Sequence, residues 1–349
     1  MKVYEITLKP VTGFGTPLKG DTIFGHFCWQ IAYDEALLGK TIDDLLSNYN
    51  SKPFAVFSSA CPKFCEDTEY LYALKTPDLP LDNLFMLTGG KKEKIKERKE
   101  FKAKRWMILK EGKKHASFKE LDKEHRFLKD KELLEMANTT VTYETKQVMR
   151  RSGSNNFVAD FFQPRNTINR LTGTTGEGRF APFNIDHEVY YPETELALFV
   201  GIDDSVININ QVRTVIERIG ILGYGKDAST GLGRFELGEE NEIVLSQMGS
   251  ESPNACYTLS PCVPEKDTYS EMFFSPFTRF GRHGDVLAKS SNPFKNPVIM
   301  ADEGGVFIPK DRNVFDKPYI GRAVTNISKA EPKAVTQGYS LYIPVKVEV

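Results

Sequence analysis

The order of elements predicted along the chain indicates an α+β protein built from tandem ferredoxin-like modules. Residues 1–240 of the 349-residue chain give strand, helix, strand, insertion, strand, helix and strand, which is the βαββαβ plan. A second set of short strands follows an acidic linker and suits a degraded copy of the same module. In RNA-recognition modules of this topology, the sheet face that the helices leave open and the nearby loops bind RNA.

The N-terminal elements follow from two different periodicities. Apolar and polar residues alternate over Lys2–Lys9, which predicts a strand that ends at Pro10. A helix of about four to five turns is predicted next, because Asp21 or Thr22 can cap it and an apolar stripe follows at helical spacing. The stripe consists of Ile23, Phe24, Phe27, Ile31 and Ala32. Phe54–Ser58 is predicted to be the next strand.

The middle of the chain is strongly basic. Residues 91–131 contain 17 Lys/Arg and 8 Asp/Glu, a local net charge of +9. The whole chain carries -1, from 46 basic and 47 acidic residues, so the remainder carries 29 minus 39, or -10. We interpret about 77–137 as a basic helical insertion outside the core. Such a segment favours a local polyanion contact, but a solvated helical insertion has the same composition.

A hairpin with a glycine-rich tip is predicted after the insertion, over about 138–186. Asn138–Arg150 contains Thr and Val residues and is assigned to one of its arms. The segment Phe161–Phe180 follows and places glycines between arginines and aromatic residues.

A second glycine-rich stretch separates a predicted helix from a predicted strand. Glu195–Val200 is assigned to a strand and Gln211–Ile221 to a helix, and Leu232–Leu237 closes the module. Five glycines fall within residues 220–233, so backbone N–H groups in a concave turn, with Lys226 and Arg234, would suit a polyanion. A purely structural turn is the alternative. A phosphate-binding loop of the nucleotide-triphosphatase kind and a dinucleotide fingerprint are excluded, because both need the order strand, loop, helix.

The C-terminal part is assigned to a second domain. Residues 239–253 are polar and acidic and are interpreted as a linker, which gives proposed domains at 1–240 and 241–349. Four short strands are predicted beyond it: Cys256–Leu259, Pro297–Met300, Gly305–Ile308 and Leu341–Val347.

The composition is that of an ordinary soluble protein, with 40% hydrophobic and 27% charged residues. The N-terminus has no signal-peptide pattern, so a cytoplasmic location is expected. The five cysteines lack zinc-ligand spacing, and no metal or cofactor is predicted. They are Cys28, Cys61, Cys65, Cys256 and Cys262.

No catalytic constellation stands out among the five histidines. His26 lies in the first predicted helix and could serve as a general base for RNA cleavage. A half-buried structural histidine beside Phe24 and Phe27 is the favoured interpretation, because no partner residue is tied to it by spacing. Arg282–Gly284 imitates a phosphohistidine triplet, but no second histidine follows it. The sequence therefore predicts a protein that is not an enzyme.

Four stretches together resemble one family. They are Leu18–Gly25, Arg165–Gly173, the pattern Gly223-x-Gly225-x5-Gly231-x-Gly233-Arg-Phe, and Asn292–Met300 with Glu303–Phe307 after it. The ordered set is similar to the fourth subunits of the Csm complex, the type III-A CRISPR effector, in the repeat-associated mysterious protein (RAMP) superfamily. The resemblance spans nearly the whole chain, and the basic insertion matches least well.

The resemblance implies a non-catalytic RNA-binding subunit that serves defence against foreign nucleic acid. It would hold the 5′ handle of the CRISPR RNA (crRNA), dock the large polymerase/cyclase-like signature subunit, meet the RAMP backbone subunits and face target RNA only indirectly. The hairpin resembles the thumb that kinks the RNA. Carried over by position, and together with the basic and aromatic groups nearby, the expected RNA-binding residues are Lys19, Gly20, Asp21, Thr22, Arg165, Asn169, Arg170, Thr172, Gly223, Tyr224, Gly225, Lys226, Gly231, Gly233, Arg234, Arg279 and Arg282.

Two other functions remain open. The first is a crRNA-processing endoribonuclease of the same superfamily with His26 as its base. In those enzymes the glycine loop would lie near the C-terminus, whereas here more than a hundred residues follow it. The second is a metabolic nucleotide-binding enzyme, which would bind a mononucleotide and ignore the RNA handle.

Overall fold

A computed structural model describes residues 1–66, 69–86, 91–115, 117–153 and 156–348. Its strands are β1 (Lys2–Pro10), β2 (Ala55–Phe57), β3 (Cys61–Glu66), β4 (Glu69–Lys75), β5 (Lys104–Lys110), β6 (Phe127–Lys129), β7 (Val158–Arg165), β8 (Phe183–Tyr190), β9 (Glu195–Ile202), β10 (Phe235–Glu242), β11 (Ala255–Thr258), β12 (Tyr269–Phe273), β13 (Pro276–Arg279), β14 (Val298–Ala301), β15 (Val306–Pro309), β16 (Tyr319–Gly321) and β17 (Tyr339–Val345). Its α-helices are α1 (Gly20–Tyr33), α2 (Ile42–Ser47), α3 (Leu81–Leu84), α4 (Lys91–Lys102), α5 (Phe118–Lys123), α6 (Asp130–Thr140), α7 (Tyr143–Ser152) and α8 (Ile209–Leu222). No helix among these residues is both long and apolar enough to cross a bilayer.

The first module has the predicted ferredoxin-like topology. Its sheet runs β10-β1-β9-β3, with β2 also paired to β9, and all these pairs are antiparallel. Helices α1 and α8 pack on each other and against β2 and β10, respectively. Their buried stripes are those read from the sequence: Ile23, Phe24, Phe27 and Ile31 in α1, and Val212, Val215, Ile216 and Ile219 in α8. The α+β fold class is therefore confirmed.

The basic segment is only partly helical, and its placement outside the core is wrong. Strands β5 and β6 continue the main sheet beyond β4. Met107, Leu109 and Phe127 are at most 2% exposed and join the main core. The abundance of lysine hid short apolar runs such as Trp106–Leu109, which are long enough for a strand in the interior of a sheet.

Residues 143–152 form α7, so the assignment of Asn138–Arg150 to a hairpin arm is wrong. The Thr142 hydroxyl accepts a hydrogen bond from the Thr145 N–H at 3.4 Å and caps the helix, and Gly153 ends it with φ of 68°. Local capping outweighs the β propensity of Thr and Val here. The hairpin itself exists, with β7 and β8 as its two arms.

The second sheet repeats the strand order of the first with loops in place of helices. Its order is β12-β15-β11-β17-β16. When β11, β12, β15 and β17 are numbered 1 to 4 along the chain, they lie across the sheet in the order 4-1-3-2. Strands β1, β3, β9 and β10 of the first module, numbered in the same way, lie in the same order. The described residues beyond 250 contain no α-helix. Strand β14 pairs with β13 in a separate ribbon instead of joining this sheet.

One hydrophobic core joins the two sheets. Phe57 and Val200 of the first sheet and Leu341 and Ile343 of the second belong to the same buried cluster. The predicted linker is also part of this packing, because Leu245 and Met248 are 5% and 1% exposed. The division at 1–240 and 241–349 stays a prediction.

A polar network lies buried in the first module. The Lys63 ammonium donates to a Glu5 carboxylate oxygen at 2.6 Å and to the Thr7 hydroxyl at 3.1 Å. The Tyr72 hydroxyl donates to the other Glu5 oxygen at 2.5 Å. These side chains satisfy one another, as buried charges must.

Candidate nucleic-acid interface

The glycine-rich loop between α8 and β10 is positioned by the end of α8. The helix begins with a reciprocal cap between Asn208 and Gln211 and ends at Gly223, whose N–H donates to the Ile219 carbonyl at 2.8 Å. Gly223 has φ of 99°, a region that only glycine enters at little cost. The chain therefore leaves the helix sharply and returns toward β1.

Most N–H groups of this loop are already bonded within the protein. The Tyr224 N–H donates to the Gly233 carbonyl at 2.9 Å, and the Gly233 N–H donates to the Gly13 carbonyl at 2.8 Å. The Gly225 N–H donates to His26 Nε2 at 3.1 Å. These amides hold the loop in shape, so the expectation that N–H groups of this turn are available to a polyanion does not hold for them.

Two threonines before α1 complete this internal bonding. The Lys226 N–H donates to the Thr16 hydroxyl and the Arg234 N–H to the Thr12 hydroxyl, both at 3.0 Å. Sequence reasoning missed Thr12 and Thr16. The sequence signal for them is the alternation of threonine with Gly13 and Gly15 just before α1.

Gly233 is required by a close approach of backbone to backbone. A Cβ at this position would lie 2.1 Å from the Tyr224 carbonyl oxygen, and the residue has φ of 74°. Tyr224 itself is fully buried and its hydroxyl donates to the Pro17 carbonyl at 2.9 Å. It therefore cannot stack on a base. The expectation that the Tyr224 side chain contacts RNA is wrong, and the side chain supports the loop from inside the protein.

The outer edge of the loop is exposed and basic. The side chains of Lys226, Ser229, Thr230 and Arg234 face solvent. The Arg165 guanidinium, at the end of β7, donates to the Thr230 hydroxyl at 3.1 Å. We call these five residues the loop rim. The tertiary structure thus brings the end of β7 beside the glycine-rich loop, although Arg165 and Thr230 are 65 positions apart in the sequence.

The tip of the hairpin stands away from the core. Arg170 and Thr172 are exposed, and Leu171 between them is 96% exposed. Asn169 organises the turn, because its carbonyl accepts from the Gly173 N–H at 2.8 Å and its side chain accepts from the Leu171 N–H at 3.0 Å. Phe161 and Phe162 are 53% and 60% exposed on the two faces of β7. Aromatic and cationic groups are therefore available together along this hairpin.

The loop before α1 joins the two sheets. The Lys19 ammonium contacts Asp302 and lies 2.9 Å from Glu303. Burial opposes the charge on Lys19, but the two carboxylates outweigh it and raise the pKa of Lys19. Gly20 is buried. A side chain does not fit at this position, because a Cβ there would lie 2.2 Å from the Phe57 carbonyl oxygen. The half-buried Thr22 follows in the first turn of α1.

Asp21 and Arg279 form an ion pair that joins α1 to the ribbon of β13 and β14. The Asp21 carboxylate accepts two hydrogen bonds from the Arg279 guanidinium, at 2.6 and 2.9 Å. The Asp21 side chain is 2% exposed and that of Arg279 is 24% exposed. Lys19 and Arg279 are thus neutralised inside the protein, and the expectation that they present free charge to RNA does not fit their contacts.

Arg282 lies in a different setting on the surface. Its guanidinium lies 5.5 Å from the centre of the Phe294 ring, which is 67% exposed. Phe280 nearby in the chain is 74% exposed. This cation and these rings remain accessible.

His26 is built into the loop as a hydrogen-bond acceptor. Burial, with a smaller contribution from the Lys295 ammonium, lowers the pKa of His26 to about 4. Its ring packs 4.8 Å from that of Tyr224. Because Nε2 accepts from the Gly225 N–H, the imidazole proton lies on Nδ1, and neither nitrogen is free to remove a proton from a hydroxyl.

Metal-ligating groups do not converge within the described ranges. No set of three or more His, Cys, Asp or Glu residues there has the arrangement of a metal site. The five cysteines are free thiols, and burial raises the pKa of Cys28 to about 12.

No protein-family model matches the sequence, and no curated protein matches it. Solved structures do match. A chain in the crystal structure of a Csm1–Csm4 cassette in complex with pppApA has a TM-score of 0.53 at 17% identity, covering 100% of this chain and 99% of that one. A chain of the Csm3–Csm4 subcomplex in the type III-A CRISPR-Cas interference complex has a TM-score of 0.53 at 14% identity, with 99% and 100% coverage. Csm4 is the subunit common to both, so the predicted resemblance to the fourth Csm subunit is confirmed for the fold.

Proposed function

We propose that this chain is a non-catalytic, RNA-binding subunit of a type III-A CRISPR interference complex. The observation that carries the proposal is the match of the whole chain to the fold of Csm4 with almost no residues left over on either side. Coverage of nearly the whole of both chains favours the same place in the complex. The cytoplasm is the location that this role requires.

We further propose that the loop rim grips the 5′ handle of the crRNA. Lys226, Arg234 and Arg165 supply cations for phosphates, and Ser229 and Thr230 supply hydroxyls. Exposed arginines and phenylalanines on the hairpin can stack on splayed bases. Gly223, Gly225, Gly231 and Gly233 contribute through the backbone shape that sets the rim. Arg170, Thr172 and Arg282 stay candidate contacts at the edges of this surface.

The proposed protein partners follow from the same fold. The Csm4 chains it resembles are found with Csm1 and with Csm3. We propose that this chain likewise docks the large polymerase/cyclase-like subunit and a RAMP backbone subunit, with target RNA met only through the assembled complex. Co-purification of several subunits with RNAs that share one 5′ end would test this.

The endoribonuclease alternative loses its candidate base, because His26 Nε2 is occupied by the Gly225 N–H. A mononucleotide enzyme would need an enclosed site, and the loop rim is open. Repeat RNA incubated with the isolated chain should remain intact, and cleavage that disappears in His26→Ala would contradict the proposal.

The direct test is a binding titration with labelled handle RNA and with a scrambled RNA of equal length. Lys226→Ala/Arg234→Ala should weaken handle binding and flatten its salt dependence by about 1.4 in log–log slope, from two lost phosphate contacts. Lys310→Ala/Arg312→Ala is the matched control, since both side chains are exposed on the second sheet's side of the molecule. Equal binding of handle and scrambled RNA by the wild type would reject handle recognition.

A further inference from the structure

The helix α4 presents a basic face to solvent. Lys94, Lys96, Lys99 and Lys102 are all exposed, and Ile95 among them is 54% exposed. They occupy about 12 Å of helix length, at 1.5 Å per residue.

Contacts of Phe101, Arg98 and Glu100 fix the orientation of the helix, and Arg98 lies on the same side of α4 as Lys94 and Lys102. The Phe101 ring stacks on Phe85 with centroids 4.3 Å apart and planes 3° apart. Arg98 pairs with Asp82 at 3.1 Å, and Glu100 pairs with Lys129 at 2.9 Å. The helix is therefore anchored to α3 and β6, with its basic face directed outward.

Several other lysines of residues 91–131 form ion pairs, unlike the four exposed lysines of α4. Lys104 lies 3.4 Å from Asp122, Lys113 lies 2.7 Å from Glu124, and Lys119 lies 2.7 Å from Glu348. Within the ranges that the structure describes, Lys94, Lys96, Lys99 and Lys102 form no ion pair. Their charge is thus largely available to a ligand outside the chain, although the Lys96 ammonium also helps to lower the pKa of Glu100.

This face is remote from the loop rim. Strand β10, which follows the glycine loop, lies at one edge of the main sheet, and β5, which follows α4, lies five strand positions away. At about 4.8 Å per strand, the separation is about 24 Å. The basic face of α4 is therefore a separate surface from the proposed handle site.

We propose that the outer face of α4 binds the phosphate backbone of a nucleic acid, as a second polyanion site. Four positive charges along about 12 Å suit a strand whose phosphates follow one another closely. Lysine is depleted in protein–protein interfaces but neutralises phosphates readily, which favours a nucleic acid over an acidic protein surface. Contact with phosphates alone makes this site indifferent to base sequence.

The test uses the full chain and a fluorescently labelled oligouridine that carries no handle sequence. Lys96→Glu/Lys99→Glu/Lys102→Glu should reduce its affinity at least about tenfold at low salt. The slope of log affinity against log salt should fall by about 2, from three contacts at about 0.7 each on a single strand. Photo-crosslinking of the wild type should label peptides from residues 94–105.

The matched control is Lys310→Glu/Lys317→Glu/Lys329→Glu, which changes the net charge equally at exposed positions elsewhere. It should alter affinity less than about twofold, and circular dichroism should show both variants folded. If the α4 variant binds oligouridine as tightly as the control does, the proposal is wrong. The same holds if the α4 variant keeps its affinity for oligouridine and loses only the binding of an acidic protein partner. Handle preference measured on the same variants reports on the loop rim alone, so the two proposals can fail separately.

Discussion

Replacing Arg279 by methionine should destabilise the protein without directly weakening its grip on RNA. The Arg279 guanidinium donates two hydrogen bonds, at 2.6 and 2.9 Å, to the 2%-exposed carboxylate of Asp21. Arg279→Met would leave that carboxylate buried without its partner. Breaking a buried ion pair costs about 3–5 kcal/mol, and we expect about 3 kcal/mol because the guanidinium is 24% exposed.

The expected change in melting temperature follows from the chain length. The unfolding entropy of about 2.1 cal/mol/K per residue gives about 0.7 kcal/mol/K for 349 residues. A loss of about 3 kcal/mol therefore lowers Tm by about 4 °C. Differential scanning calorimetry at neutral pH measures this shift, and handle-RNA binding well below the transition should change less than about twofold.

Two further variants sharpen the measurement. Asp21→Asn/Arg279→Met removes the buried charge as well and should recover more than half of the lost Tm. Arg98→Met is the matched control, because Arg98 and Asp82 are 53% and 61% exposed and such a pair contributes less than about 1 kcal/mol. A variant Arg279→Met with wild-type Tm but RNA affinity reduced tenfold would refute the reasoning and restore Arg279 as a direct RNA contact.

Two more predictions concern the support of the glycine loop. Because the pKa of His26 falls to about 4 in the folded state, the unfolded chain binds the extra proton first as pH falls below about 6.5. Wild type should therefore lose about 2 kcal/mol relative to His26→Gln between pH 7.5 and pH 5, measured by urea unfolding; parallel stability curves would show that His26 does not titrate in this way. Gly233→Ala places a methyl group 2.1 Å from the Tyr224 carbonyl and should cost at least about 2 kcal/mol, whereas Gly176→Ala, on the open hairpin tip, should leave the urea midpoint unchanged. Equal midpoints for the two alanine variants would contradict the tight loop packing.

Local sequence patterns were sufficient to predict the helices and strands that have a clear periodicity of apolar residues. The stripes of α1 and α8 predicted helices because spacing of 3.6 residues reports the buried face directly. Alternation in β1 did the same for the first strand. The prediction of a helical insertion over the basic segment was wrong because β5 and β6 are short. A strand of a few apolar residues among many lysines has little periodicity to detect.

The sequence by itself therefore determined the paired ferredoxin-like plan, the two glycine-rich stretches and the concentration of charge in residues 91–131. Only the tertiary structure decided which cations are free. Lys19 and Arg279 form ion pairs with Glu303 and Asp21, which lie far from them in the sequence, while Lys226 and Arg234 remain exposed. The reason is physical: burial and ion pairing depend on residues more than two hundred positions apart, and no local pattern records what lies across the fold.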